Sequence, residues 1–127
     1  MMLELILPDS GGPRRGDCCV SISGKFRRIL LFKEAYAEIC FHHGQDFEYV
    51  QFLVDREKPD RFWMRPAVKE ACGSARIVRN PRNGTRTMSA AYLFKALGWE
   101  SERSVGYPLM WDAENDAAVV ITGTIPG

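Results

Sequence analysis

From Cys18 onward the chain runs twice through one order of local patterns, and this recurrence constrains the fold more than any other feature. The first pass opens at residues 19–24, where apolar and polar residues alternate as in a half-buried strand. Ser23-Gly24-Lys25 turns the chain, and residues 26–32 form a second β-rich run. The period then changes: Ala35, Tyr36 and Ile39 fall on one face of a short helix that His42-His43-Gly44 ends. Strands over 49–54 and 61–64 flank a turn at 55–60, where Pro59 removes no ladder hydrogen bond.

The second pass repeats the order. A strand over 75–79 leads into Asn80-Pro81-Arg82-Asn83-Gly84, and Asn83-Gly84 is a strong hairpin signal. A return strand over 85–88 follows. Ser89 is placed to cap a helix over 90–97, with Leu93, Phe94 and Leu97 as its apolar face and Gly98 as its stop. Strands over 107–111 and 117–121 flank a turn at 112–116, although Pro108 interrupts the first of them. Residues 65–73 read as a connector, with Pro66 and Gly73 suiting a helical turn or two.

The two passes align at offsets of 57 to 60 residues. Gly24 matches Gly84 at 60. Arg28 matches Arg86 at 58, as do Ala35 with Leu93, Tyr36 with Phe94, Ile39 with Leu97 and Phe41 with Trp99. At 57, Val50, Phe52 and Val54 match Tyr107, Leu109 and Trp111, and Phe62 and Met64 match Val119 and Ile121. A unit of roughly 50 residues with one short helix buries little apolar surface alone, so the two are expected to share a core. The expected fold class is α+β, mostly β. It divides into an arm at 1–17, a first repeat at 18–65, a connector at 66–74, a second repeat at 75–122 and a tail at 123–127, in one compact domain.

This order of elements resembles the swapped-hairpin DNA-binding domain of AbrB, MazE-type antitoxins and MraZ. The resemblance rests on Asn83-Gly84, Met88-Ser89 and Ala96-Leu97-Gly98-Trp99 in the second pass. In the first it rests on Ser23-Gly24-Lys25, residues 29–32 and Ile39-Cys40-Phe41, with the turns at Asp55 and Asp112 adding to it. It covers about residues 18–122. It implies two β-β-α-β-β repeats forming one pseudo-twofold barrel that exchanges hairpins, and DNA binding through basic residues on the first hairpin of each repeat.

Charge falls in blocks that match the passes. Net charge is +1, which excludes a uniformly basic coat but hides its distribution. Residues 18–33 hold Lys25, Arg27, Arg28 and Lys33 and no acid; residues 71–99 hold Arg76, Arg79, Arg82, Arg86 and Lys95 and no acid. Residues 34–60 and 100–116, which include the closing hairpins, are acidic. Arginine outnumbers lysine 12 to 5, and guanidinium forks bind phosphate bidentately and read guanine edges. Lys25, Arg27, Arg28, Arg79, Arg82 and Arg86 are therefore the expected contacts to double-stranded DNA. The bland alternative is that outward arginines blunt sheet edges or pair with the acidic hairpins.

Nothing suggests an enzyme or a cofactor. There is no nucleophile elbow, P-loop or dinucleotide fingerprint. Cys40, His42, His43 and Asp46 form a short cluster, but adjacent histidines at a helix end point apart and suit the helix dipole better than a metal. Trp63, Trp99, Trp111 and Phe62 fall at core positions. Of the four cysteines, Cys18 and Cys19 are adjacent and none forms a C-x-x-C pair, so reduced thiols are expected. No apolar run reaches the roughly 18 residues of a membrane span, and the first eight residues lack a basic n-region. The expectation is a cytoplasmic regulatory protein, with homodimerisation open. The alternative is a protein-interaction or scaffold domain of phage or mobile-element type with no nucleic-acid binding.

Overall fold

The computed structural model describes residues 19–99 and 103–123. The arm expected over 1–17, Cys18 and most of the tail lie outside them. Eleven elements follow in order: β1 (Cys19–Ser23), β2 (Arg28–Leu31), α1 (Lys33–His43), β3 (Tyr49–Leu53), β4 (Arg61–Ala67), β5 (Ala75–Arg76), β6 (Val78–Arg79), β7 (Arg86–Ser89), α2 (Ala91–Leu97), β8 (Ser104–Asp112) and β9 (Ala117–Ile121). The fold is mostly β with two helices. Both halves of the chain feed one antiparallel sheet, ordered β5-β3-β4-β9-β8-β1-β2-β7-β6.

The sheet nearly closes into a barrel because its two end strands are consecutive in the chain. β5 pairs with β3, putting Ala75 opposite Val50; β6 pairs with β7, putting Val78 opposite Thr87. Ile77 alone separates β5 from β6. It is buried, and its amide donates to Glu48 O at 2.8 Å, so a single residue carries the strand from one sheet edge to the other.

Alternation decides which residues fill the barrel. Val20 faces Leu31 and Ile22 faces Ile29 across the first hairpin, and Ile29 faces Met88 across β2–β7; all five are core residues. On the far side Phe62 and Met64 pair with Val120 and Ala118, also in the core. Phe62 is fully buried and meets Trp99 edge-to-face at 5.6 Å, while Trp99 meets Phe94 at 4.9 Å. The first helix buries Ala35 and Ile39 and ends at Gly44, whose φ of +88° lets its amide donate a hydrogen bond to Cys40 O at 2.8 Å.

Pro108 fits β8 because it stands where the strand changes partner. Residues 104–108 pair with β1 and residues 109–112 pair with β9, so the missing N–H falls at the handover.

Several expectations are corrected. The connector holds no helix: β4 runs through Pro66 to Ala67, and the residues up to Ser74 make turns, tied down by Gln51 Nε2 donating to Cys72 O. Ser89 does not cap α2; it is the last residue of β7, and Ala90 occupies the cap with no side-chain hydrogen bond. Phe41 and Trp99 are not equivalent, being 79% and 7% exposed. Phe62 and Met64 face inward, whereas Val119 and Ile121, their partners at an offset of 57, belong to a separate cluster with Trp63, Ala117 and Leu53 on the other face. Alignment by apolar character alone misses such a slip, because one residue reverses the face of a strand.

Candidate nucleic-acid interface

The tip of the first hairpin projects Lys25, Phe26, Arg27 and Arg28, all exposed. Two backbone bonds hold this tip from opposite flanks. The Gly24 amide donates to Arg103 O at 3.0 Å, next to β8, and the Ala90 amide donates to Arg27 O at 2.9 Å, next to α2. Arg27 itself sits at φ +51°, a left-handed conformation that costs a non-glycine residue energy and lets the turn close in four residues. Phe26 is 62% exposed. Lys25 Nζ lies 5.6 Å and Arg28 Cζ 5.8 Å from its ring centre, so an apolar ring stands between two cations on a braced turn.

The second hairpin is longer and is built by asparagine. Asn80 Oδ1 accepts from the Arg82 amide at 3.0 Å; Asn83 Oδ1 accepts from the Thr85 amide at 3.0 Å and the Thr85 hydroxyl at 2.7 Å. Gly84, at φ +72°, completes the turn by donating to Asn80 O. Arg79 and Arg82 are exposed. Arg86 is half-buried. Its guanidinium lies 4.0 Å over the ring of Tyr36 and donates from Nη1 to Gly84 O.

Register separates the six expected contacts into two groups. β2 and β7 are antiparallel, with Arg28 opposite Ser89 and Leu31 opposite Arg86. The two turns therefore lie at opposite ends of this pair, about 10 Å apart along the strands. Arg86 shares its face with the inward Leu31 and Met88, whereas Arg28 shares the outward face with Ser89. Lys25, Arg27 and Arg28 are brought together at one end, and Arg79, Arg82 and Arg86 at the other. The expected gathering of both basic hairpins on one side does not occur.

None of the six makes an ion pair with an acid among the described residues. The ion pairs present join His42 to Glu38 at 2.8 Å and Arg61 to Asp60 at 2.9 Å. Internal neutralisation, the bland alternative for the basic hairpins, thus has no partner within the described residues.

The other candidate groups are engaged locally. The His42 ring stacks on Trp111 at 5.1 Å, while His43 meets the edge of Phe47 at 6.1 Å, so the two imidazoles serve different neighbours. Among the described residues no group of three or more His, Cys, Asp or Glu is arranged to hold a metal ion. Burial pushes the Cys40 thiol up, away from thiolate reactivity. Cys19 is buried and Cys72 is exposed. No helix among the described residues is long and apolar enough to cross a membrane.

Phe26 is the residue that sequence reasoning passed over. Its signal was present: it lies two residues after a turn glycine, between cations, and shares strand parity with Arg28 rather than with Ile29 and Leu31. Comparison of the chain with protein-family models, with curated proteins and with solved structures gave no match.

Proposed function

We propose that this chain is a small nucleic-acid-binding, regulatory domain that holds duplex DNA through the tip of its first hairpin. The observation that carries the reading is the trio of exposed cations Lys25, Arg27 and Arg28 around exposed Phe26, on a turn fixed by two backbone bonds and neutralised by no described acid. Cations held in place attract phosphate at low ordering cost. An apolar ring beside them is suited to wedging into a groove. The reading leaves out Arg79, Arg82 and Arg86, which lie at the opposite end of the β2–β7 pair.

The same reading takes the domain as two β-β-α-β-β units related by a pseudo-twofold axis, as in a swapped-hairpin barrel. Support comes from strand order. Exchanging β1 with residues 75–79, β2 with β7, β3 with β8 and β4 with β9 leaves every neighbour relation in the sheet unchanged. A twofold axis normal to an antiparallel pair must relate residues on the same face. Ile29 and Met88, paired and both inward, satisfy this at an offset of 59; Trp63 and Val119, paired on the other face, satisfy it at 56. In this scheme residues 20–23 correspond to residues 75–78, and buried Ile77 stands where buried Ile22 stands in the first copy.

The test is a salt titration of binding to mixed-sequence duplex DNA. Affinity is expected to fall steeply with salt, with a log–log slope of about −0.9 per phosphate contact. Absence of binding even at low ionic strength overturns the reading.

A second reading, a protein-docking domain, is favoured by one observation. Leu53, Trp63, Val119 and Met110 are successive cross-strand partners over β3-β4-β9-β8; Trp63 and Val119 are buried within this apolar row, and Met110, 49% exposed, brings it to the surface.

A further inference from the structure

We propose that the cleft between the end of α1, the start of β3, the end of β4 and strands β5 to β7 binds a small phosphate-bearing anion, at a site distinct from the nucleic-acid tip. The cleft encloses about 710 Å³, inside the roughly 300–1,000 Å³ typical of small-molecule sites. Arg76, Arg79, Arg86 and Lys69 line it against two carboxylates, Asp46 and Glu48, so it keeps a positive balance.

The arrangement of the arginines suits an anion. Arg79 and Arg86 are direct cross-strand partners in β6–β7 and face the same way. Like charges placed opposite one another in a sheet repel. Neither has a carboxylate within ion-pair distance among the described residues. Arg86 is also half-buried, and a cation withdrawn from water calls for a counter-charge. Its present partners are a carbonyl and a ring: Gly84 O and the face of Tyr36.

The site is held ready. Tyr36 Oη donates to Phe47 O at 2.9 Å and accepts from the Phe47 amide at 3.2 Å, and the two rings stack at 4.8 Å. Arg86 thus rests on a plate that two hydrogen bonds and a second ring keep in place. A guanidinium fork fixed in this way loses little freedom when it takes a phosphate bidentately. Free phosphate esters and inorganic pyrophosphate present the same chemistry, and the two are separated in the test.

The experiment titrates inorganic pyrophosphate, then AMP and adenosine, into the full chain by calorimetry at constant ionic strength. Saturable binding of pyrophosphate or AMP at one site, with a Kd around or below roughly 1 mM, is expected, and none of adenosine. The double variant R76Q/R79Q replaces two exposed side chains and is expected to weaken binding about tenfold or more. K58Q, at an exposed cation in the turn between β3 and β4 that does not line the cleft, is expected to leave it unchanged. Pyrophosphate in preference to AMP identifies the inorganic anion as the source, and the reverse a phosphate ester; both support the cleft. The proposal is overturned by absence of saturable binding, by an undiminished R76Q/R79Q, by sulfate giving an equal signal, or by duplex DNA displacing pyrophosphate. A chain that takes pyrophosphate but no duplex supports the cleft and removes only the nucleic-acid reading.

Discussion

The guanidinium of Arg86 lies 4.0 Å above the ring of Tyr36, whose other face is stacked on Phe47. This sandwich joins β7 to α1 and the segment before β3, which lie far from it in sequence. Removing its upper layer is expected to cost stability even though Arg86 is a charged residue. Arg86→Ala should lower unfolding free energy by about 1–2 kcal/mol, the range for a partly desolvated cation–π contact. Arg86→Lys should recover only part, because a flat fork matches a ring better than an ammonium does. Urea denaturation of the three proteins measures both steps. Equal stability of all three would mean that the contact contributes nothing.

The nucleic-acid reading makes a quantitative statement about the first hairpin. Each of Lys25→Gln, Arg27→Gln and Arg28→Gln should weaken duplex binding and reduce the log–log salt slope by about 0.9, since each removes one phosphate contact. Phe26→Ala should behave differently. It removes an apolar contact, so affinity should drop with the salt slope intact. Fluorescence anisotropy at several salt concentrations separates these signatures. A charge variant with an unchanged slope would exclude that residue from the interface.

Much of the fold was legible because it is written in local pattern. The alternation at residues 19–24, the change of period after Lys33 and the Asn83-Gly84 turn each identify an element without reference to the rest of the chain. What stayed hidden depends on pairing. Whether Arg86 faces Leu31 or Leu30 is a matter of one residue in register, and that residue decides whether the guanidinium joins the outer surface or lies over Tyr36. The step at Ile77 was hidden for the same reason: residues 75–79 read as one strand, and only the two edges they meet divide them into β5 and β6. The basic block was correctly located in sequence but not in space, because antiparallel pairing of β2 with β7 sends the two turns to opposite ends.

Arg27 carries two demands that a single substitution separates. Its φ of +51° is one that glycine adopts without strain, while its side chain belongs to the exposed cationic tip. Arg27→Gly should therefore leave stability unchanged or raise it by up to about 1 kcal/mol, and yet weaken duplex binding. Thermal melting and anisotropy on one preparation test the pair of outcomes together. A variant that loses stability in step with affinity would mean that the arginine side chain, rather than the backbone conformation, holds the turn.

Asp112 gives the fold an acid sensitivity with a definite sign. Its carboxyl is held below the usual aspartate range, first by the hydrogen bonds from Asn115 and then by the indole N–H of Trp63, which donates to Oδ2 at 2.8 Å. A carboxyl depressed in the folded state stabilises it above the unfolded-state value, and that contribution is lost as pH falls through the folded one. Stability should accordingly decline below about pH 4, the ordinary aspartate range. Asp112→Asn keeps an acceptor for the indole but cannot titrate, so its stability profile should be flatter over that interval. Trp63 sits at the bond itself, so acid titration of tryptophan emission, compared with a Trp63→Phe control, follows the event directly. Superimposable acid profiles for the parent and Asp112→Asn would show that the carboxylate contributes nothing to the acid response.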